Sequence, residues 1–231
     1  MSTSHNARSA ILDRIRGDRS PSATKAPAAY ASLPRSYERH GRMAADARIA
    51  LMIERLREYE AEVTECAPDE IAQSLARVIE ASGCRVLVAP GGLLPSWLVP
   101  VCEWRIDRGL THDEIEHVDG VVTGATYAIA ESGTIVLHHT AAEGRRVLSL
   151  LPDWHLCVLR ASQVVETLPE YFHHCPEPPL LATFVSGPSA TADIEMTRIK
   201  GVHGPRFLNV LMVRDIGNIE PGAANGAEGA Q

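Results

Sequence analysis

Three stretches of this chain place small, hydroxylated or ionisable residues where neighbouring segments are bulky and apolar. The first is Thr123–Thr134, TGATYAIAESGT. Gly124 and Gly133, with Thr123, Thr126, Ser132 and Thr134, would let backbone amides and hydroxyls approach a bound ligand closely. Glu131 has the parity of Tyr127 and Ile129. On a strand its carboxylate would therefore share an apolar face, an environment that disfavours its charge and suits a catalytic group. The alternative is a glutamate at the strand end, solvated or bonded to nearby amides.

The second stretch is Ser186–Glu195, SGPSATADIE. The apolar run LLATFV reaches a Gly187-Pro188 turn and then a predicted helix with Ser189 or Thr191 as its N-cap. A strand feeding a helix N-terminus at the carboxyl edge of a parallel sheet is a usual place for an anionic ligand. Asp193 and Glu195 in the first turn already satisfy the helix dipole and would repel an anion. These acids suit a hydroxyl, an amine or a divalent cation better; equally, the helix could simply be capped by its own side chains. The third stretch is Gly201–Arg206, in which Gly201 would cap the preceding helix and Gly204-Pro205 redirect the chain. His203 there could serve acid–base chemistry, contact a ligand, or satisfy a helix C-terminus.

Other chemistries find little support. His138-His139 and His173-His174 are adjacent pairs, which a strand would point to opposite faces, and no H-x-H or H-x-x-x-H converges two imidazoles on a metal. No G-x-G-x-x-G follows a strand, so neither a nicotinamide nor a flavin fingerprint can be read, and no particular cofactor is indicated. Cys66, Cys84, Cys102, Cys157 and Cys175 are scattered without a C-x-x-C, so no iron–sulfur cluster is expected in this chain. Net charge is −7 with dispersed basic residues, which argues against nucleic acid as a partner. The short run Arg145-Arg146 could touch one anionic ligand.

The elements that must position these residues alternate. Residues 7–16 form a short amphipathic helix carrying Ile11, Leu12 and Ile15, and 17–41 read as an arm long enough to be functional or oligomer-forming. Ile49, Met52, Ile53 and Leu56 set a helix over about 42–60. Ile71, Leu75, Val78 and Ile79 set another, capped by Gly83. Residues 84–89, 121–122, 135–137, 156–159, 181–185 and 207–213 are strand candidates, with helices predicted over 163–173 and 192–200. This alternation implies an α/β domain with a mostly parallel sheet and helices on both faces. The expected organisation is an N-terminal helix and arm over 1–41, one α/β domain over 42–215 and a disordered tail over 216–231. The N-terminus has no apolar signal region, and no run of about 18 apolar residues could span a bilayer. A cytoplasmic location follows as an expectation.

The order TGATYAIAESGTIVL, GRRVLSLLPDWHLCVL and SGPSATADIEMTRIKGVHGPRFLNVLMV resembles the LUD-domain family, and within it the lactate utilization protein C type, over residues 42 to 213. The resemblance implies a Rossmann-like three-layer α/β/α sandwich, similar to the CoA-transferase and ribose-5-phosphate isomerase group. It also implies a part in oxidising L-lactate to pyruvate within a complex that includes two iron–sulfur proteins, this chain being the cluster-free, ligand-binding member. In CoA-transferases of related fold a glutamate in a Glu-Asn-Gly turn attacks the acyl group; Glu131-Ser132-Gly133 is comparable, with Ser in place of Asn. Two alternatives stay open: a stand-alone CoA-transferase- or isomerase-like enzyme using Glu131, and a purely scaffolding subunit. A homo-oligomer through the N-terminal arm is a further expectation.

Overall fold

The computed structural model describes residues 4–18, 30–34, 36, 39–191, 199–200 and 203–215. The chain divides into Met1–Tyr37 and Glu38–Gln231. The first unit contains helix α1 (Ser4–Asp18), on which Ile11, Leu12 and Ile15 are exposed. Among the described residues no helix is long and apolar enough to cross a membrane.

In the second unit the apolar spacings produce the expected helices. Helix α2 (Ala45–Glu58) buries Ile49, Met52, Ile53 and Leu56. Helix α3 (Ile71–Ser82) buries Ile71, Leu75 and Ile79, and ends at Gly83 in the left-handed conformation, where glycine carries no Cβ penalty. Six strands form one parallel sheet: β1 (Glu62–Cys66), β2 (Val86–Pro90), β3 (Glu103–Asp107), β4 (Gly120–Thr123), β7 (Trp154–Arg160) and β12 (Phe207–Val213), in the order β1-β12-β7-β4-β2-β3. The short helix α4 (His112–Glu116) precedes β4. The two faces of β7 and β12 divide cleanly. Leu156, Val158, Leu211 and Val213 pack with Leu75 and Ile79 of α3; Cys157, Leu159, Val210 and Met212 pack with Met52 and Leu56 of α2.

A second sheet completes the α2 face. Strands β5 (Tyr127–Ile129), β6 (Thr134–Leu137), β8 (Val164–Val165) and β9 (Thr183–Val185) run in the order β8-β5-β6-β9, with β5–β6 an antiparallel hairpin. Its inner side, with Ala128, Ile135 and Leu137, joins the α2 core. Its outer side buries Tyr127, Ile129, Val136 and Val165 against Tyr171 of α5 (Leu168–His174).

Two predicted helices need correction. Of 163–173 only the later part is helical: the β-branched Val164 and Val165 are buried as β8, and Thr167 caps α5 by accepting from the Glu170 amide. The predicted helix 192–200 lies mostly outside the described residues, as does Gly201. Where its end is described, Ile199–Lys200 (β11) pairs antiparallel with Ala190–Thr191 (β10), so Thr191 belongs to a strand. Strands β1 (EVTEC) and β3 (EWRID) escape the apolar pattern because both are sheet edges with polar side chains.

The hairpin is docked on α2 through Gly133, whose φ is +61° and whose Cβ, if present, would lie 2.7 Å from Arg55 Cβ and 3.1 Å from the Arg55 carbonyl carbon. Gly133→Ala is therefore expected to destabilise the protein by about 2–4 kcal/mol, from left-handed strain plus overlap with a helix backbone. Urea denaturation measures this, and a shift below about 0.5 kcal/mol, the range of an ordinary surface substitution, would show that the docking is loose.

Candidate functional site

The β5–β6 hairpin has two ends, and the polar residues of the sequence are divided between them. Its base lies where β4 ends, at the carboxyl edge of the parallel sheet, with the Thr126 amide donating to Val136 O (3.1 Å). Thr123 is fully buried there, its Oγ1 2.8 Å from His155 Nε2. Burial drives His155 down to about 4 and pushes the Cys157 thiol up to about 12; each is thereby held neutral. The Cys157 thiol donates to Gly124 O (3.6 Å).

Glu143, only 1% exposed, accepts from the Thr126 hydroxyl (2.5 Å) and from the Thr140 amide (3.1 Å). This pair of bonds fastens the segment Thr140–Arg145 across the base. Strand β3 lies outward of β2 while β4 lies on its other side, so the crevice between β2 and β4 is the switch point where ligands of open α/β sheets bind. The segment enters that crevice: the Gly92 amide donates to Ala141 O (3.0 Å) and the Gly124 amide to Ala142 O (3.1 Å). A Cβ on Gly92 would meet Ala141 Cβ at 2.5 Å, so only glycine allows this approach. Arg145 makes a two-pronged bond to Asp107 (2.8 and 2.7 Å) at the end of β3, which holds the Asp107 carboxyl below its usual range.

The tip of the hairpin is a different place. Glu131 lies in the turn beyond β5, exposed, its amide donating to Glu166 O (3.0 Å). It is not on a strand and lacks the apolar surroundings that a strand position would supply. Ser132, Thr134 and Ser186 form a chain of hydroxyls at 2.7 Å steps. Gly133 faces Arg55, and Gly187, with φ +90°, faces Tyr59, the residue that ends α2 one turn further on. Pro188 leads to Ser189, whose amide donates to Pro205 O (2.8 Å) and whose Oγ accepts from the His203 amide (3.0 Å); Gly204 lies alongside, 3.5 Å from Ser189 Cβ if it bore a Cβ. Asp193 and Glu195 lie outside the described residues.

The expected position of the second stretch needs correction. Strand β9 is antiparallel to β6 in the small sheet, so Ser186–Ser189 does not leave the carboxyl edge of the parallel sheet. It lies by the C-terminal end of α2, near the start of β12. The sequence candidates thus split: Thr123, Gly124 and Thr126 belong to the base, and Glu131–Thr134, Ser186–Ser189 and His203–Gly204 to the tip. A cavity of about 490 Å³ at the amino ends of β1 and β12, lined by Arg77, Trp154, Phe207 and Asn209 among others, includes none of them. Sequence reasoning passed over Glu143, His155, Asp107 and Thr140. Glu143 and Thr140 had one signal, the polar run TAAEGRR following β6; His155 and Asp107, inside strands β7 and β3, had none.

The chain is similar to several known proteins. The family model of the LUD domain matches residues 49–213. The protein named lactate utilization protein C of Deinococcus radiodurans is 40% identical over 166 residues, covering 69% of this chain and 76% of that protein. The protein YkgG of Escherichia coli (strain K12) is 42% identical over 101 residues, covering 41% of this chain and 43% of the relative. A crystal structure of a DUF162 family protein from Deinococcus radiodurans matches with a TM-score of 0.63 and 32% identity, over 74% of this chain and 99% of that one.

The buried base has a measurable signature. His155 takes a proton at about 4 in the folded chain against an ordinary 6.5, so the unfolded chain binds the proton first as pH falls. Its contribution is complete above pH 6.5 and is lost progressively down to pH 4, a total of about 3 kcal/mol. Denaturant titrations of wild type and His155→Gln across that window are expected to converge as pH falls. Parallel curves would mean that His155 titrates normally.

Proposed function

The chain belongs to the LUD domain family, and from that premise we propose that it is a subunit of an L-lactate utilization system, which oxidises L-lactate to pyruvate together with iron–sulfur partner proteins. The match to a protein named lactate utilization protein C, at 40% identity across most of both chains, carries this reading. In it the partners supply the cluster chemistry, as the scattered cysteines of this chain suggest, and this chain contributes a small-ligand site in the cytoplasm. The base of the hairpin supports that part. It stands at the switch point of a parallel sheet, its polar groups are satisfied in a fixed arrangement, and glycines bring two backbone segments close. The exposed apolar stripe of α1 is available for assembly, with partner proteins or with a second copy.

The competing reading, a self-sufficient transferase or isomerase with Glu131 as nucleophile, separates from this one in a complementation assay. A strain lacking the chain should fail to grow on L-lactate as sole carbon source. Wild type and Glu131→Gln should both restore growth, and Thr126→Val should not, although it accumulates as folded protein. Growth of the deletion strain on L-lactate would remove the proposed role. Loss of growth with Glu131→Gln at an unchanged melting temperature would assign the chemistry to the tip instead.

A further inference from the structure

The loop leaving β6 contains an arrangement that neither the base network nor the tip accounts for. His139 has φ 56°, a left-handed conformation that is uncommon outside glycine. Its Nδ1 lies 2.9 Å from Gly144 O. A carbonyl oxygen can only accept, so Nδ1 carries the hydrogen and, in the neutral ring, Nε2 presents its lone pair. That Nε2 lies 2.7 Å from Thr183 Oγ1, so the hydroxyl donates to it. Arg146 Nη1 donates to the same oxygen at 2.6 Å. One oxygen thus sits between a base and a guanidinium, and the base is oriented by a third group, the geometry of an activated hydroxyl. Thr183 is paired with Leu137 at the base end of the small sheet. His139 and Arg146 flank the segment held by Glu143. Arg146 is exposed and His139 and Thr183 are half-buried, so solvent reaches all three.

We propose that His139, Thr183 and Arg146 form an acid–base site for a small carboxylate bearing a hydroxyl or keto oxygen on the adjacent carbon. The free N–H groups of Arg146 take the carboxylate, for which a guanidinium is geometrically suited. The oxygen on the adjacent carbon takes over the position of the Thr183 hydroxyl against His139. When that oxygen is a hydroxyl, its proton passes to Nε2, leaving an imidazolium and an alkoxide whose charge faces Arg146. No electron leaves the ligand in this step. When it is a keto oxygen, the protonated Nε2 donates to it. The ligand class rests on the lactate reading above; the hydrogen-bonded trio does not.

Calorimetric titration of the full chain with L-lactate, pyruvate and acetate tests the proposal. L-lactate and pyruvate should bind saturably, and acetate, lacking the second oxygen, more weakly. Arg146→Gln should weaken L-lactate and pyruvate by at least about tenfold, the loss of one charge-assisted contact. His139→Asn, which tolerates the left-handed backbone, should bring both down to the acetate level. L-lactate should also shift the His139 ring nitrogens in ¹⁵N NMR spectra, which a merely structural histidine would not show. Wild-type protein that binds neither L-lactate nor pyruvate, or variants that bind as wild type does, would overturn the site. If binding fails while the deletion strain still cannot grow on L-lactate, the site falls and the cellular role stands. If binding follows the expected pattern while the deletion strain grows, the role falls and the site stands.

Discussion

Glu143 places a carboxyl group where almost no water reaches, and two partners from different parts of the chain satisfy it: the Thr126 hydroxyl at the start of the hairpin and the Thr140 amide in the loop that follows it. Leaving such a group unpaired in the interior would cost several kcal/mol, so these residues take their positions together. The consequences spread outward from that bond pair. The carbonyls of Ala141 and Ala142 are carried to the glycine amides beside β2 and β4, Arg145 reaches Asp107 at the end of β3, and His139 and Arg146 come to either side of Thr183. A single buried carboxyl thus links local chain geometry to the arrangement of the whole carboxyl edge.

The small sheet decides which polar residues can act together. A hairpin of three- and four-residue strands holds its base and tip about 10 Å apart at the usual strand rise. At the tip two glycine turns approach Arg55 and Tyr59 at the end of α2, where a side chain would collide, and three hydroxyls satisfy one another across the β6–β9 pair. The base is where buried polar groups, close backbone approaches and reachable titratable side chains coincide. Proximity in sequence between Thr126 and Glu131 therefore conceals a division in space.

Much of this fold was legible beforehand. The 3.6-residue apolar spacings of α2 and α3, the glycine ending α3, and the apolar runs that became β2, β7 and β12 each follow from burial on known faces. The ordered motifs of the LUD domain family were recognisable, and the family model spans nearly the same residues. Edge strands β1 and β3 were not legible, because a strand with one solvated edge has no need of apolar side chains. Of the second sheet, β6 and β9 were expected as strands, but β5 was not, because two glycines and four hydroxyls in twelve residues look like a loop although Tyr127, Ala128 and Ile129 between them are buried. Thr123, Gly124 and Thr126 of the base were candidates from the start, and the rest of the base escaped for a different reason. Glu143, His155 and Asp107 are polar in sequence, and only partners 17, 32 and 38 positions away make them interior groups.

Amide hydrogen exchange in Glu143→Ala would test the organising role of this carboxyl most directly, since protection reports local opening segment by segment. The expected result is lost protection at Gly92, Gly124 and Thr140, with Glu131 and Gly133 at the far end of the hairpin protected as before. Unchanged protection at the base, or equal loss at both ends, would contradict the claim that Glu143 specifically holds the carboxyl edge together.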